Sequence, residues 1–160
     1  MYLLDTNVFI EAKNRYYAFD LAPGFWDWLA VAEESNLILS TEGVKSELIR
    51  GEDELATWAR NSSTLFRPID APAITTMREL STWAHSGNYS EAAVAEFLSI
   101  ADYTLVAYAA AHELVLVTHE QPAPAATRRI PIPSACSALG VEYCTTFTML
   151  RAHGVQLGLS

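Results

Sequence analysis

Short apolar runs of strand length recur along the chain between longer amphipathic stretches. The clearest runs lie at residues 2–4 (YLL), 37–40 (LILS), 114–118 (LVLVT) and 141–145 (VEYCT), with a shorter extended piece at 65–70. The run at 114–118 is apolar without alternation, which is typical of a strand buried on both faces of a parallel sheet. The pattern therefore predicts four strands and one short additional extended segment.

The stretches between these runs have helical periodicity. Helices are predicted within residues 5–17, 23–36, 41–51, 52–63, 72–87, 90–99, 101–113, 130–140 and 146–154. Strands that alternate with helices imply right-handed βαβ units and a mainly parallel sheet with helices on both faces. We therefore expect an α/β fold, a three-layer α/β/α sandwich, formed by a single domain over residues 1–160, because no repeat or linker divides the chain.

The second helix has a stripe that should face the core. Phe25, Trp28, Leu29 and Ala32 follow the i, i+3, i+4, i+7 spacing of one helix face. Trp26 lies outside this stripe, and Trp83 is also less clearly inward. Exposed tryptophans are enriched at interfaces, so these two are candidates either for a partner or dimer surface or for partial core burial.

Composition narrows the class of protein. The formal net charge is −9, which argues against binding of nucleic acid mainly through lysines and arginines. It fits a carboxylate site that recruits divalent cations, a basic protein partner, or a plain acidic domain. Without a signal peptide or a membrane-length apolar run, cytoplasm is the default location, where Cys136 and Cys144 are expected as small apolar fillers.

Four acidic residues stand where chemistry is expected in such a fold. Asp5 directly follows the first strand, and Glu120 lies two residues beyond the strand that ends at Thr118. Glu47 and Asp102 lie on helices, each within about 60° of apolar residues of its own helix at 100° per residue. Sites in open parallel sheets form beyond the carboxyl ends of the strands, so these carboxylates are candidates for one site.

Each acid also has an ordinary structural explanation. Asp5, alone or with Thr6 or Asn7, could cap the first helix, and Asp102 could cap its own helix. Glu47 could be a solvated helix acid and Glu120 a loop acid. Together, however, clustered carboxylates repel one another and raise one another's pKa. Mg²⁺ or Mn²⁺, which prefer oxygen ligands, would relieve this repulsion, and a pair of such ions can activate water against a phosphodiester.

Four segments, in this order, resemble one known family. They are LLDTNVFIE, STEGVKSELIRG, ADYTLVAYAAAH and LVLVTHE. They resemble the PIN-domain nucleases, above all the VapC-type toxins of toxin–antitoxin pairs, over residues 2 to about 120. The resemblance implies a PIN-like α/β/α sandwich and a metal-dependent endoribonuclease that hydrolyses RNA with a metal-bound water. It also implies a homodimer and a basic antitoxin protein as partners.

The resemblance also assigns roles to residues. Asp5, Glu47 and Asp102 match the three acidic metal ligands of the family, and Asn7 and Thr118 match positions that support the site by hydrogen bonding. Glu120 falls where many members have aspartate or asparagine. It is one methylene longer, which leaves open whether one or two metal ions bind.

Few cations are available to contact RNA phosphates in so acidic a chain. The candidates are Lys13, Arg15, Arg128 and Arg129, of which the two adjacent arginines are the foremost. His119 could assist proton transfer or be a surface histidine near the site.

Other reaction classes fit less well. His85, His112 and His153 lack the i, i+4 pairing typical of zinc sites, and no glycine-rich phosphate loop or nucleophile elbow is present. An aspartyl-nucleophile phosphohydrolase would need D-x-D after the first strand, where this chain has Asp5-Thr6-Asn7. The alternative that stays open is a PIN-fold RNA- or protein-binding module without turnover.

Overall fold

The computed structural model describes residues 1–159, whose centre is a five-stranded parallel sheet. The strands are β1 (Tyr2–Leu4), β2 (Ile38–Thr41), β3 (Phe66–Arg67), β4 (Val115–Val117) and β5 (Tyr143–Cys144). Their order across the sheet is β3-β2-β1-β4-β5, and every neighbouring pair is parallel. The predicted strands are confirmed, with the extended piece at 65–70 reduced to a two-residue edge strand.

Helices flank this sheet and confirm the α/β sandwich. Within the described residues they are α1 (Thr6–Glu11), α2 (Pro23–Glu34), α3 (Glu42–Ile49), α4 (Glu54–Asn61), α5 (Ala71–Ser86), α6 (Glu91–Ser99), α7 (Ala101–His112), α8 (Ile132–Leu139) and α9 (Thr146–Ala152). None of these helices is by itself long and apolar enough to cross a membrane. Taken together, α6 and α7 have sufficient length and apolar composition, but their axes are bent by 70° relative to each other.

The sequence pattern predicted that the first helix continues to Tyr17, but the regular α-helix ends at Glu11. A π-helical turn over Ala12–Tyr16 follows α1, and the Tyr17 N–H bonds to the Ala12 carbonyl at 2.6 Å. Such turns are rare in proteins, and those that do occur are often found at functional sites. The wider turn changes the direction in which the following side chains project.

The order of the strands places a switch point between β1 and β4. The chain adds β2 and β3 on one side of β1 and then β4 and β5 on the other. Leu4 and Val117 are register partners, and the Asp5 N–H still bonds to the Val117 carbonyl at 3.0 Å. In sheets of this kind the crevice at the switch point is the usual ligand site, and the residues that directly follow these two strands are Asp5 and Thr118.

The aromatic packing decides whether Trp26 lies in the core or at a partner surface. This residue is only 6% exposed, its ring stacks on Phe19 at 4.0 Å, and its indole N–H donates to the Tyr17 carbonyl at 2.7 Å. Trp28, placed in the core-facing stripe by periodicity, is half-buried. Of the two alternatives for Trp26, core burial is therefore confirmed and the partner surface is excluded, because the segment between α1 and α2 folds back over that face of α2. Trp83 is half-buried against Tyr89.

Candidate active site

Asp5 is delivered to the switch point by β1 and is buried there. Its side chain is 2% exposed, and Oδ2 accepts a hydrogen bond from the Thr118 hydroxyl at 3.0 Å. Asp5 occupies the N-cap position of α1, yet its side chain makes no capping hydrogen bond. Helix capping therefore does not explain this buried carboxylate.

Asp102 lies in the first turn of α7, whose N-cap residue is Ile100. The alternative that Asp102 caps the helix was therefore wrong. It is half-buried, and among residues 1–159 no hydrogen bond to its carboxylate is recorded. A shallow cavity of about 190 Å³, which Asp102 lines together with Phe97 and Arg129, opens beside it.

Glu47 is held in place from two sides. Oε2 accepts from the Thr6 hydroxyl at 2.7 Å, and Oε1 accepts from the Ala101 N–H at 3.2 Å. The second bond satisfies the first free N–H of α7. Glu47 is thus no solvated helix acid, since it joins α3 to the starts of α1 and α7.

Glu120 has a comparable structural role on the other side. Its carboxylate pairs with the Arg129 guanidinium and accepts from the Ile132 N–H at 3.3 Å, at the start of α8. Its own N–H donates to the Thr118 hydroxyl at 3.1 Å. One threonine therefore fixes both Asp5 and the loop that carries Glu120.

The four carboxylates influence one another electrostatically. The pKa of Asp5 is raised to about 7, chiefly by burial and also by the charges of Glu120 and Glu47, against the opposing effect of the Thr118 hydrogen bond. Burial raises the pKa of Asp102 to about 8, aided by Asp5, Glu120 and Glu47 and opposed by Arg129. Without a cation, burial and mutual repulsion therefore favour the protonated forms of Asp5 and Asp102, and a bound divalent ion would favour the ionised forms.

The chemistry of this donor set fits Mg²⁺ or Mn²⁺, since all four side chains offer hard oxygen atoms. Within residues 1–159, however, no three Asp, Glu, His or Cys side chains already converge in a geometry that would hold a metal ion. The Asp5 carboxylate accepts one side-chain hydrogen bond. Both carboxylate oxygens of Glu47 already accept hydrogen bonds, and the carboxylate of Glu120 is paired with the Arg129 guanidinium. Asp5 and Asp102 are therefore the carboxylates most available to hold an ion, whereas Glu47 and Glu120 would have to give up a present hydrogen bond or ion pair to do so.

The remaining predicted residues have less direct positions. Asn7 and Arg128 are exposed, and no side-chain hydrogen bond is recorded for either in the described part of the chain. Lys13 pairs with Asp53 at 2.6 Å, Arg15 pairs with Glu11 at 3.2 Å, and Arg129 pairs with Glu120. Three of the four candidate phosphate contacts are therefore already neutralised by acids.

An aromatic cluster beside the carboxylates was missed by the sequence reasoning. His119 is half-buried, and its Nε2 shares a hydrogen bond of 2.9 Å with the Thr146 hydroxyl. Its ring also contacts the rings of Tyr16 and Phe147. The only hint in the sequence was the tyrosine pair at the end of the predicted first helix. The wide turn that directs Tyr16 toward His119 leaves no periodic signal.

Comparison with known proteins gives one family and one fold. The model of the family described as "Domain of unknown function (DUF4411)" matches residues 2–157. No curated protein matches the sequence.

Solved structures share the fold at low identity. VapBC2 from Rickettsia felis, solved bound to a DNA fragment from its promoter, has 16% identity and a TM-score of 0.56, covering 90% of this chain and 97% of that one. FitAcB from Neisseria gonorrhoeae has 19% identity and a TM-score of 0.55, with coverage of 89% and 96%. FitAB bound to the IR36 DNA fragment has 18% identity and a TM-score of 0.55, with coverage of 91% and 94%. These matches confirm the PIN-like fold that the resemblance implied.

Proposed function

We propose that this chain, which belongs to the DUF4411 family, is a divalent-metal-dependent endoribonuclease and the toxin of a toxin–antitoxin pair. The observation that carries the proposal is the pair Asp5 and Asp102. Both are acids with pKa values raised to about 7 and about 8, and neither carboxylate caps a helix. Perturbed acids of this kind in a crevice are typical of functional sites.

Asp5 and Asp102 would hold the ion, with Glu47 and Glu120 as further ligands. The ion would supply polarisation of water and neutralisation of charge on a phosphodiester. The role of the chain itself is to hold the ligands in place. Thr118 orients Asp5 through its hydroxyl, and β1 and α7 fix the backbone positions of the two aspartates.

Arg129 has a separate role in this proposal. It pairs with Glu120 and lowers the pKa of Asp102, so it offsets part of the negative charge while no ion is bound. Arg129 is therefore proposed as the resident counter-charge of the cluster, and an RNA contact by it would require release from Glu120. The exposed Arg128 stays the candidate for a phosphate contact.

The proposed partners follow from the structures that share the fold. VapBC2 and FitAB were solved as complexes bound to DNA. By analogy, we propose that this acidic chain binds a basic antitoxin protein. The proposed homodimer rests on the resemblance to VapC-type toxins alone. Its net charge of −9 favours a basic partner.

A second function is favoured by the hydrogen bonds of the glutamates. Glu47 and Glu120 each stabilise the start of a neighbouring helix, which is a structural task that needs no metal. This favours a PIN-fold binding module that keeps the acids for stability and has no turnover.

Cleavage of RNA tests the first function. Single-stranded RNA should be cut by the purified chain with Mn²⁺, should remain intact with EDTA, and should remain intact with the Asp5→Asn variant. Asp70→Asn is the matched control, because Asp70 caps α5 and pairs with His112 rather than joining the carboxylate cluster. Equal cleavage by the Asp5→Asn variant and the parent would refute the assignment.

A further inference from the structure

Tyr16, His119 and Phe147 form an aromatic cluster at the surface. The rings of Tyr16 and His119 are stacked with centroids 5.9 Å apart, and Phe147 meets Tyr16 edge-on at 5.2 Å. Tyr16 is 48% exposed. Among the described residues, Tyr16 and Phe147 do not belong to the hydrophobic core or to the side chains packed against it. Core packing therefore does not explain why these rings meet.

The cluster lies on the same edge of the sheet as the carboxylates. His119 stands between Thr118, which binds Asp5, and Glu120, so its Cα is one peptide step of about 3.8 Å from each neighbour. Its ring is tied to Thr146, the first residue of α9, which follows β5. His119 therefore links the aromatic cluster to the loop that carries Glu120, at the edge of the sheet where the acids lie.

The backbone is shaped to present Tyr16. The π-helical turn ends at Tyr16, and the next residue, Tyr17, stacks on the buried Phe25 at 4.4 Å. One tyrosine thus anchors the segment to the core while its neighbour projects outward. Because π-helical turns occur frequently at functional sites, the exposed ring of Tyr16 is a candidate for a binding role.

Charge shows which ligand suits this surface. Most cations near the site are paired with acids, so phosphate contacts alone give little affinity for RNA. Stacking on an aromatic ring needs no cation and accepts any base. Arg15, which precedes Tyr16, is itself paired with Glu11, so the aromatic face is the feature of this surface that is available to a nucleotide.

We propose that Tyr16, supported by His119 and Phe147, is a stacking platform for an unpaired base of an RNA that is bound at the same edge of the sheet as the acids. This inference rests on the proposed function for its substrate class. It assigns to Tyr16 a positioning role in which the aromatic face, rather than the hydroxyl, binds the nucleotide.

Base stacking can be measured directly without turnover. The probe is a 12-nucleotide single-stranded RNA containing 2-aminopurine, titrated with protein in EDTA while fluorescence quenching reports stacking. Tyr16→Leu keeps apolar bulk but removes the aromatic face, and should weaken binding about ten-fold, which equals about 1.4 kcal/mol and lies within the range for one base on an aromatic ring. Tyr16→Trp should preserve or increase the quenching.

The matched control is Tyr143→Leu, since Tyr143 is 37% exposed on β5 and none of the ring contacts among the described residues involves it. Unchanged quenching in Tyr16→Leu, or the same loss in the control, would overturn the platform. A change in sedimentation of Tyr16→Leu protein without a change in RNA binding would instead assign the rings to self-association and overturn it too.

The outcome is separable from that of the proposed function. If the parent cuts RNA with Mn²⁺ but Tyr16→Leu leaves both quenching and KM unchanged, the platform is wrong and the nuclease stands. If the parent quenches the probe, Tyr16→Leu loses this quenching, and the parent never cuts RNA, the platform stands and the nuclease is wrong.

Discussion

Asp5→Asn should make the metal-free protein more stable, by an amount that grows with pH. The carboxyl of Asp5 has a pKa of about 7 in the folded chain, against 3.8 for an ordinary aspartate. Between these two values the unfolded chain has lost the proton that the folded chain still binds, so stability falls as pH rises. Above the folded value the full penalty is present, and below 3.8 it is absent.

The magnitude follows from the width of that window. At 1.36 kcal/mol per pH unit, the difference between the folded and unfolded pKa of Asp5 destabilises the fold by about 2 kcal/mol at pH 5.5 and about 4 kcal/mol at pH 8.5. Asparagine removes this titration and keeps an oxygen that can accept the Thr118 hydrogen bond. Removing the charge also lowers the pKa of Asp102, because Asp5 is the strongest neighbouring charge that raises it, and this change has the same sign.

Urea unfolding in EDTA at the two pH values measures the effect. The stability gain of Asp5→Asn over the parent should increase by about 2 kcal/mol from pH 5.5 to pH 8.5. The paired control is Asp53→Asn. The hydrogen bond from Lys13 holds the pKa of Asp53 below 3.8, so the stability that its carboxylate contributes is lost only at lower pH, and its effect should be constant over this range. A gain for Asp5→Asn that does not grow with pH would refute the electrostatic reasoning.

Three further predictions concern the contacts around the site and the core. Thr118→Val should raise the pKa of Asp5 further, because it removes the hydroxyl that donates to Oδ2; carbon-13 NMR titration of the carboxyl checks this, and an unchanged pKa would contradict it. Arg129→Gln should raise the pKa of Asp102 in the same experiment, since the guanidinium lowers it, and a lowered pKa would be the opposite result. Trp26→Ala should reduce the free energy of unfolding by about 3–5 kcal/mol, measured with urea, whereas a loss below about 1 kcal/mol would be typical of a surface residue.

The sequence predicted the sheet and the positions of the acids because both depend on local patterns. An apolar run followed by Asp5, and a helix face that includes Asp102, follow from periodicities of two and 3.6 residues. The strand-end rule then brought the acids to one edge of the sheet. These predictions need no knowledge of which side chains pair.

The hydrogen-bond partners of the acids could not be predicted in this way. Glu47 bonds to Ala101, which is 54 residues away, and Glu120 pairs with Arg129 across an irregular loop. The choice between a core and a surface position for Trp26 stayed open for a related reason, since the segment that covers it has no periodicity of its own. The aromatic cluster depends on the wide turn before Tyr17, which a regular helical pattern does not reveal.

The central claim is that Asp5 and Asp102 form the core of a divalent-metal site. Calorimetric titration of the parent chain with Mn²⁺ at pH 7.5 tests it most directly. We expect saturable binding with release of protons, because carboxyls with pKa values of about 7 and about 8 must ionise as the ion binds, and we expect Asp102→Asn to abolish or strongly weaken it. Absence of binding by the parent at millimolar Mn²⁺ would contradict the claim and favour the binding module without turnover.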